Sequence, residues 1–343
     1  MLRRICSFIC ILIVAFASFV WIGGKVKSLG RKFLVKEFDE NYSYGNLYIL
    51  SDVSYFKQTI PRIITPEKDT VQNAKIIAIG DSFIESNYEQ EDFPSSLEDK
   101  LHMPVFRVPG IANNNPLEYL ENIHYQKSDK KVIIVETTEL YVIDRALLYG
   151  DINSYLLTSP WINYINEVKN KIFDTSEVDY FFKNNIFIFP FRIFFNNLNF
   201  QLFGRIDRGI GAYSLNPPML FLNEEVNFDK NPEYPKLSEQ IAKDIKKLAD
   251  TLEQKYNLKM IYVVIPNKYT IYGGLFVNGS YNNFIPELQT ELANRQVNYI
   301  DLYSRYTKFK NKYGSKILLY YGGDNHYTPI GKRILVDELI NKL

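Results

Sequence analysis

Serine chemistry is the reaction type best supported by the residue types and spacings in this chain. The run K-I-I-A-I-G at 75–80 leads directly into G-D-S-F at 80–83, which puts Ser82 at the carboxyl end of a short apolar strand. Open α/β sheets carry their sites at that end. A neutral hydroxyl is a weak nucleophile; it needs an imidazole beside it, held in one tautomer by a third group. His326 lies in G-G-D-N-H-Y-T-P-I-G at 322–331, a polar turn before a final helix, with Asp324 two residues upstream. On a turn, that spacing lets the carboxylate reach the Nδ1 proton while Nε2 faces a nucleophile. The same residues also fit a plainer role, with Asp324 capping the turn or helix and His326 on the surface. The other two histidines, His102 and His124, fall in or beside predicted helices with no aspartate next to them, and read as structural or solvated. A third piece is R-V-P-G-I-A-N-N-N-P at 107–116. There Gly110 allows close backbone approach and the Asn113 amide is a donor of the kind a developing oxyanion requires, although such loops are also common turns.

Composition narrows the alternatives. The only cysteines, Cys6 and Cys10, sit in the N-terminal apolar segment, which excludes cysteine catalysis and thiolate metal sites from the rest of the chain. With 3 histidines in all, a multi-histidine metal site is not expected, and nothing calls for a cofactor. The 40 Lys and Arg balance 39 Asp and Glu, with no basic block that would read as a nucleic-acid surface. The 24 Phe and 26 Tyr suit a sugar-binding cleft but equally an AT-rich coding sequence.

The elements that must position these groups follow an α/β pattern. Strands are predicted at 75–80, 104–108, 131–135, 258–265 and 297–302, and helices at 93–101, 116–127, 237–252, 283–294 and from about 329 onward. Helices alternating with short all-apolar strands point to a parallel sheet covered on both faces. Ahead of this, the uncharged run Ile5–Gly24 is long enough, at about 1.5 Å per residue, to cross roughly 30 Å of hydrocarbon. It ends in bulky Phe19, Val20, Trp21 and Ile22 rather than at a small-residue cleavage site, so it reads as an uncleaved anchor. Residues 1–24 are thus assigned to a transmembrane anchor, 25–73 to a tether and lead-in, and 74–343 to a catalytic domain. Within the last, an aromatic-rich insertion at about 146–235 either packs on the domain or offers a membrane-surface or partner-binding face. Arg3 and Arg4 precede the apolar run, whereas Lys25, Lys27, Arg31 and Lys32 follow it, a distribution that opposes an outward-facing C-terminus.

In order, G-D-S at 80–82, G-x-x-N at 110–113 and D-x-H at 324–326 resemble the SGNH/GDSL hydrolase superfamily. The segment D-N-H-Y-T-P-I-G is similar to the D-x-H-W-[ST]-x-x-G element of AlgJ/AlgX-like (DHHW-type) polysaccharide O-acetyltransferases, with Tyr327 where that group usually has Trp. I-Y-V-V-I-P-N-K at 261–268 is similar to their strand followed by P-x-K, which gives Lys268 a place but no role. The alginate-type enzymes carry D-x-H before G-D-S; this chain has the order usual in the wider superfamily. The resemblance implies a three-layer, flavodoxin-like sheet and a triad of Ser82, His326 and Asp324, with an oxyanion hole built from Ser82, Gly110 and Asn113. It implies a membrane-anchored acyltransferase that O-acetylates a cell-envelope or exported polysaccharide, outside the membrane and next to a membrane-bound acyl-donor protein. An envelope esterase of the same type and a non-catalytic glycan-binding scaffold are the alternatives.

Overall fold

β-branched apolar runs such as I-I-A-I and I-Y-V-V-I favour extended chain and bury on both faces. The computed structural model describes residues 2–35, 44–60, 71, 73–85, 93–108, 115–127, 131–149, 176–206 and 209–343. Among these, the strands are β1 (Ile76–Ile79), β2 (Val105–Arg107), β3 (Lys131–Thr138), β4 (Ile210–Leu215), β5 (Pro218–Leu222), β6 (Leu258–Ile265) and β7 (Tyr299–Ile300). Five form one sheet in the order β2-β1-β3-β6-β7, with every pairing parallel. β4 and β5 form a separate antiparallel pair. The chain leaves β1 for β2 on one side and then returns past β1 to β3. The carboxyl ends of β1 and β3 therefore flank the switch point, where a crevice opens in doubly wound sheets.

Alternation along each strand divides the core in two. Ile77, Ile79, Ile133, Val135, Met260 and Tyr262 pack with Leu248 and Leu252 of the Ser238–Tyr256 helix and with Leu288 and Leu292 of the Phe284–Asn294 helix. Ile76, Ala78, Ile134, Ile261 and Val263 pack with Leu97 of the Phe93–Leu101 helix and with Leu335 and Leu339 of the Pro329–Lys342 helix. Helices thus cover both faces of a parallel sheet, as the sequence pattern predicts.

Four elements differ from expectation by more than one residue, among them the helix expected over 237–252, which is Ser238–Tyr256. The helix expected over 116–127 is Pro116–Asn122, and the strand expected over 297–302 is only Tyr299–Ile300. The strand expected over 131–135 runs on to Thr138.

The chain divides into two compact units, one of Met1–Ser43, Ser51–Ser54 and Leu156–Asp207, the other of Tyr44–Leu50, Tyr55–Tyr155 and Arg208–Leu343. The second contains the sheet. In the first, a helix spans Leu2–Lys25, and its Arg4–Lys25 portion is long and apolar enough, with a mean hydropathy of 2.7, to cross a membrane as an anchor or to serve as a signal sequence. Its Val20 packs with Val178 and Phe181 of the Ser176–Asn184 helix, and Cys6 and Cys10 are exposed.

Candidate active site

β1 delivers the chain to Gly80, where β1 and β3 come too close for any side chain: a Cβ there would lie 2.2 Å from Oε2 of Glu136. Glu136, on β3, accepts the Asp81 N–H at that oxygen (2.8 Å). The Asp81 carboxylate accepts the Phe83 N–H at 3.1 Å and the Thr138 N–H at 2.9 Å, with Arg145 Nη2 at 3.6 Å. These bonds tie the turn carrying Ser82 to the end of β3. Burial, and after it the charge of Asp81, pushes the Glu136 carboxyl well above its ordinary range, against the pull of Arg145.

Ser82, the first residue of the Ser82–Glu85 helix, places its Oγ 2.7 Å from His326 Nε2, and His326 Nδ1 lies 2.5 Å from Asp324 Oδ1. The same oxygen accepts the His326 N–H (2.8 Å), while Oδ2 accepts the Asn46 N–H (2.9 Å). Asp324 is fully buried. Burial acts to raise its pKa, but the facing imidazole and the hydrogen bonds from His326 and Asn46 outweigh it and hold the carboxyl at about 2. Tyr327, itself buried, donates its hydroxyl to the Phe83 carbonyl, and the Phe83 ring centroid is 4.8 Å from that of His326. The tyrosine thereby couples the serine turn to the histidine turn.

The loop bearing Asp324 is held from three directions. Lys268, with no exposed surface, donates from Nζ to the carbonyls of Tyr321 (3.1 Å), Gly322 (3.3 Å) and Asp324 (2.7 Å). Leu220, on β5, donates its N–H to Gly322 O, and Tyr48 donates its N–H to Gly323 O. Gly45 has φ +88°, and a Cβ on it would lie 2.4 Å from Gly323 O, so this close approach needs glycine twice over.

The residues around Lys268 form a polar hub. Asn267 donates its N–H to Glu139 Oε2 (2.9 Å), and the Thr270 hydroxyl bridges Glu139 and Asp229 at 2.6 and 3.0 Å. Burial raises Glu139 to about 7 and, with help from Glu139, raises Asp229 to about 9. A protonated Asp229 can then donate to Thr270, whose own hydroxyl donates its hydrogen bond to Glu139. Burial also lowers Lys268 to about 7, against the attraction of Glu225 and Asp324.

Ser82 and His326 line a cavity of about 590 Å³ together with Asn46, Arg145, Glu225 and Asn267, a size that suits small-molecule and sugar-sized groups. The Asn267 side-chain oxygen accepts the Leu140 N–H (3.2 Å), and its side-chain nitrogen is buried without an acceptor. Among the described residues, no group of three or more His, Cys, Asp or Glu side chains is placed to hold a metal ion.

The structure brings Ser82, His326 and Asp324 together; Gly110 and Asn113 lie outside the described residues. His102 and His124 end helices with left-handed φ of +52° and do not line the cavity. Sequence reasoning missed Asn46, which stands in the expected tether 278 residues from its aspartate partner and carries no local signal. It located Lys268 without a function. Compared with known proteins, the chain matches no family model, no curated protein and no solved structure.

Proposed function

We propose that this chain is a membrane-anchored serine acyltransferase of the SGNH type, acting on a cell-envelope or exported polysaccharide. The observation that carries the reading is the continuous hydrogen-bonded line that starts at the wall of a cavity with Ser82 Oγ and runs through His326 to a buried, ionised Asp324. His326 Nε2 takes the Ser82 proton as Oγ attacks the carbonyl carbon of an acyl donor. Collapse of the tetrahedral adduct expels the donor's leaving group, which takes the proton from His326 and leaves an acyl-serine. A sugar hydroxyl then gives its proton to His326 and attacks the acyl carbon, and His326 returns that proton to Ser82 Oγ as the acyl-oxygen bond breaks. By the family resemblance, the oxyanion in each half-reaction is held by the N–H groups of Ser82 and Gly110 and by the Asn113 amide. Transfer is preferred over hydrolysis because D-N-H-Y-T-P-I-G resembles the transferase element and because a membrane helix would keep the site near a membrane-bound acyl donor.

Two measurements test this reading. The purified chain should be labelled at Ser82 by a serine-directed phosphonate; lack of labelling at full folding leaves only the scaffold alternative. Envelope glycan from cells carrying Ser82→Ala should lose acetyl groups by mass spectrometry. A gain of acetyl would identify an esterase instead.

A further inference from the structure

We propose that the Phe189–Phe203 helix is a second membrane contact, lying in the lipid headgroup and upper acyl region beside the N-terminal helix. The proposal rests on reading the latter as an uncleaved anchor. One side of the Phe189–Phe203 helix is committed to protein. Arg192 pairs with Asp52 through Nε at 2.7 Å and Nη2 at 3.1 Å, the Asn196 amide reaches Ser51 O and the Asn197 amide reaches Asp52 O. The other side carries Phe191, Phe194, Phe195 and Leu202, each more than half exposed, continued by Phe187 from the preceding turn. These positions recur at spacings of three, four and seven, which makes one apolar stripe. A row of large exposed apolar side chains in water is a cost unless something covers it.

Contact with the N-terminal helix identifies the covering phase. Phe19 meets Phe187 at 6.0 Å and Phe181 at 5.3 Å between ring centroids, and Phe16 meets Phe182 at 6.3 Å. Phe16 and Phe19 precede the charged Lys25 by nine and six residues, or roughly 14 and 9 Å along the helix axis. In a hydrocarbon core of about 30 Å, Phe181 and Phe187, which touch Phe19, lie in its outer third, Phe182, which touches Phe16, lies deeper, and Phe187 leads directly into the exposed stripe. The N-terminal helix and the Ser176–Asn184 helix, which leads through Phe187 into the stripe, also pack as membrane helices do, through small residues. A Cβ at Gly24 would lie 2.5 Å from Val178 Cα, and one at Gly23 would lie 2.3 Å from the Phe181 ring. An apolar face continuous with a spanning helix, and with polar groups turned to the opposite side, fits a bilayer surface.

The test uses the full chain in phosphatidylcholine–phosphatidylglycerol vesicles, with one polarity-sensitive fluorophore per molecule. Labels are placed at native Cys10 with Cys6→Ser, or, in a chain lacking both cysteines, at Phe194→Cys, Phe195→Cys or the solvated Lys308→Cys. Both phenylalanines are surface residues, and a melting curve checks each labelled chain for folding. The expected result with lipids bearing a nitroxide high on the acyl chain is quenching of about half or more of the emission at Phe194 and Phe195, as shallow burial requires, and little at Lys308. Quenching at Cys10 without quenching at the two phenylalanine positions overturns the proposal and leaves the anchor in place. No quenching at Cys10 removes the anchor and the proposal together. Blue-shifted emission at Phe194 and Phe195 that lipid nitroxides do not quench means that a protein covers the stripe, which also overturns it.

Discussion

In its ammonium form, which Glu225 and Asp324 favour against burial, Lys268 has three donors, and its Nζ reaches the carbonyls of Tyr321, Gly322 and Asp324. It therefore holds the backbone that aims Asp324 at His326, a positioning role that the P-N-K resemblance alone could not supply. Lys268→Met keeps the volume and removes the donors; a buried carbonyl that loses its hydrogen bond costs about 1–3 kcal/mol, while Gly322 O keeps the Leu220 N–H. Turnover should fall by more than the Michaelis constant rises, and the melting temperature should drop; an unchanged turnover would show that β5 and the Tyr48 amide suffice. Asp324 supplies a pH prediction. Its folded pKa of about 2 lies below its ordinary 3.8, so its stabilising contribution is fully present above that ordinary value and is lost as pH falls through about 2. In acid titration by circular dichroism, Asp324→Asn should show a shallower loss of stability between about pH 4 and 2 than the parent chain. Because Asp324 stays ionised above that window, an acid limb in the rate profile near neutrality reports another group. Asn113 belongs to the same scale: if its amide donates to the oxyanion, Asn113→Ala should cost about 2.7–4 kcal/mol in turnover with little change in Michaelis constant. A variant that melts earlier but turns over an aryl acetate normally would remove Asn113 from the site.

The strands were legible where their residues are uniformly apolar, as in I-I-A-I and M-I-Y-V-V-I, and least legible where function intrudes. β3 runs three residues beyond its apolar stretch because Glu136 and Thr137 are buried despite their polarity, with Glu136 pushed well up by burial. Hydropathy cannot see a carboxyl that burial pushes toward its neutral form inside a sheet. The helix after Asn115 stops early because His124 takes a left-handed conformation, which apolar spacing does not encode. Ser82, Asp324 and His326 were readable because each is fixed by local sequence at a strand end or turn. Asn46 was not, since its partner is reached only through the fold. Gly80 joins these themes, and it yields a prediction at the level of paired strands. In Gly80→Ala the new methyl meets not only Glu136 Oε2 but also Glu136 Cβ at 2.8 Å and its carbonyl at 3.1 Å, so β1 and β3 must move apart. Overpacking of this kind costs about 1–3 kcal/mol. Denaturant melts should show that loss, together with slower phosphonate labelling of Ser82; a variant as stable as the parent would mean that the turn relaxes freely.

For the molecule as a whole, two physical arguments about membrane topology point in opposite directions. Positive charge counts 4 residues shortly after the apolar helix (Lys25, Lys27, Arg31, Lys32) against Arg3 and Arg4 before it, and cytoplasmic flanks are the ones that carry such excess. An acyltransferase acting on an exported glycan must instead place Ser82 on the far side. Under the proposed function the chemistry outweighs the charge count, because the charge rule is a bias in insertion, whereas an acyltransferase has no use on the side that lacks its acceptor. Alkaline phosphatase fused after Leu343 folds only outside the cytoplasm, so the fusion is expected to be active. The membrane fraction is expected to hold a chain whose intact mass still includes Arg4–Lys25. An inactive fusion with the helix retained would put the triad in the cytoplasm, exclude an exported polysaccharide as acceptor and redirect the search to acyl acceptors made on the inner face. An active fusion whose mass lacks the helix would make the segment a signal sequence and release the chain from the membrane, removing the reason to expect a membrane-bound acyl donor beside it.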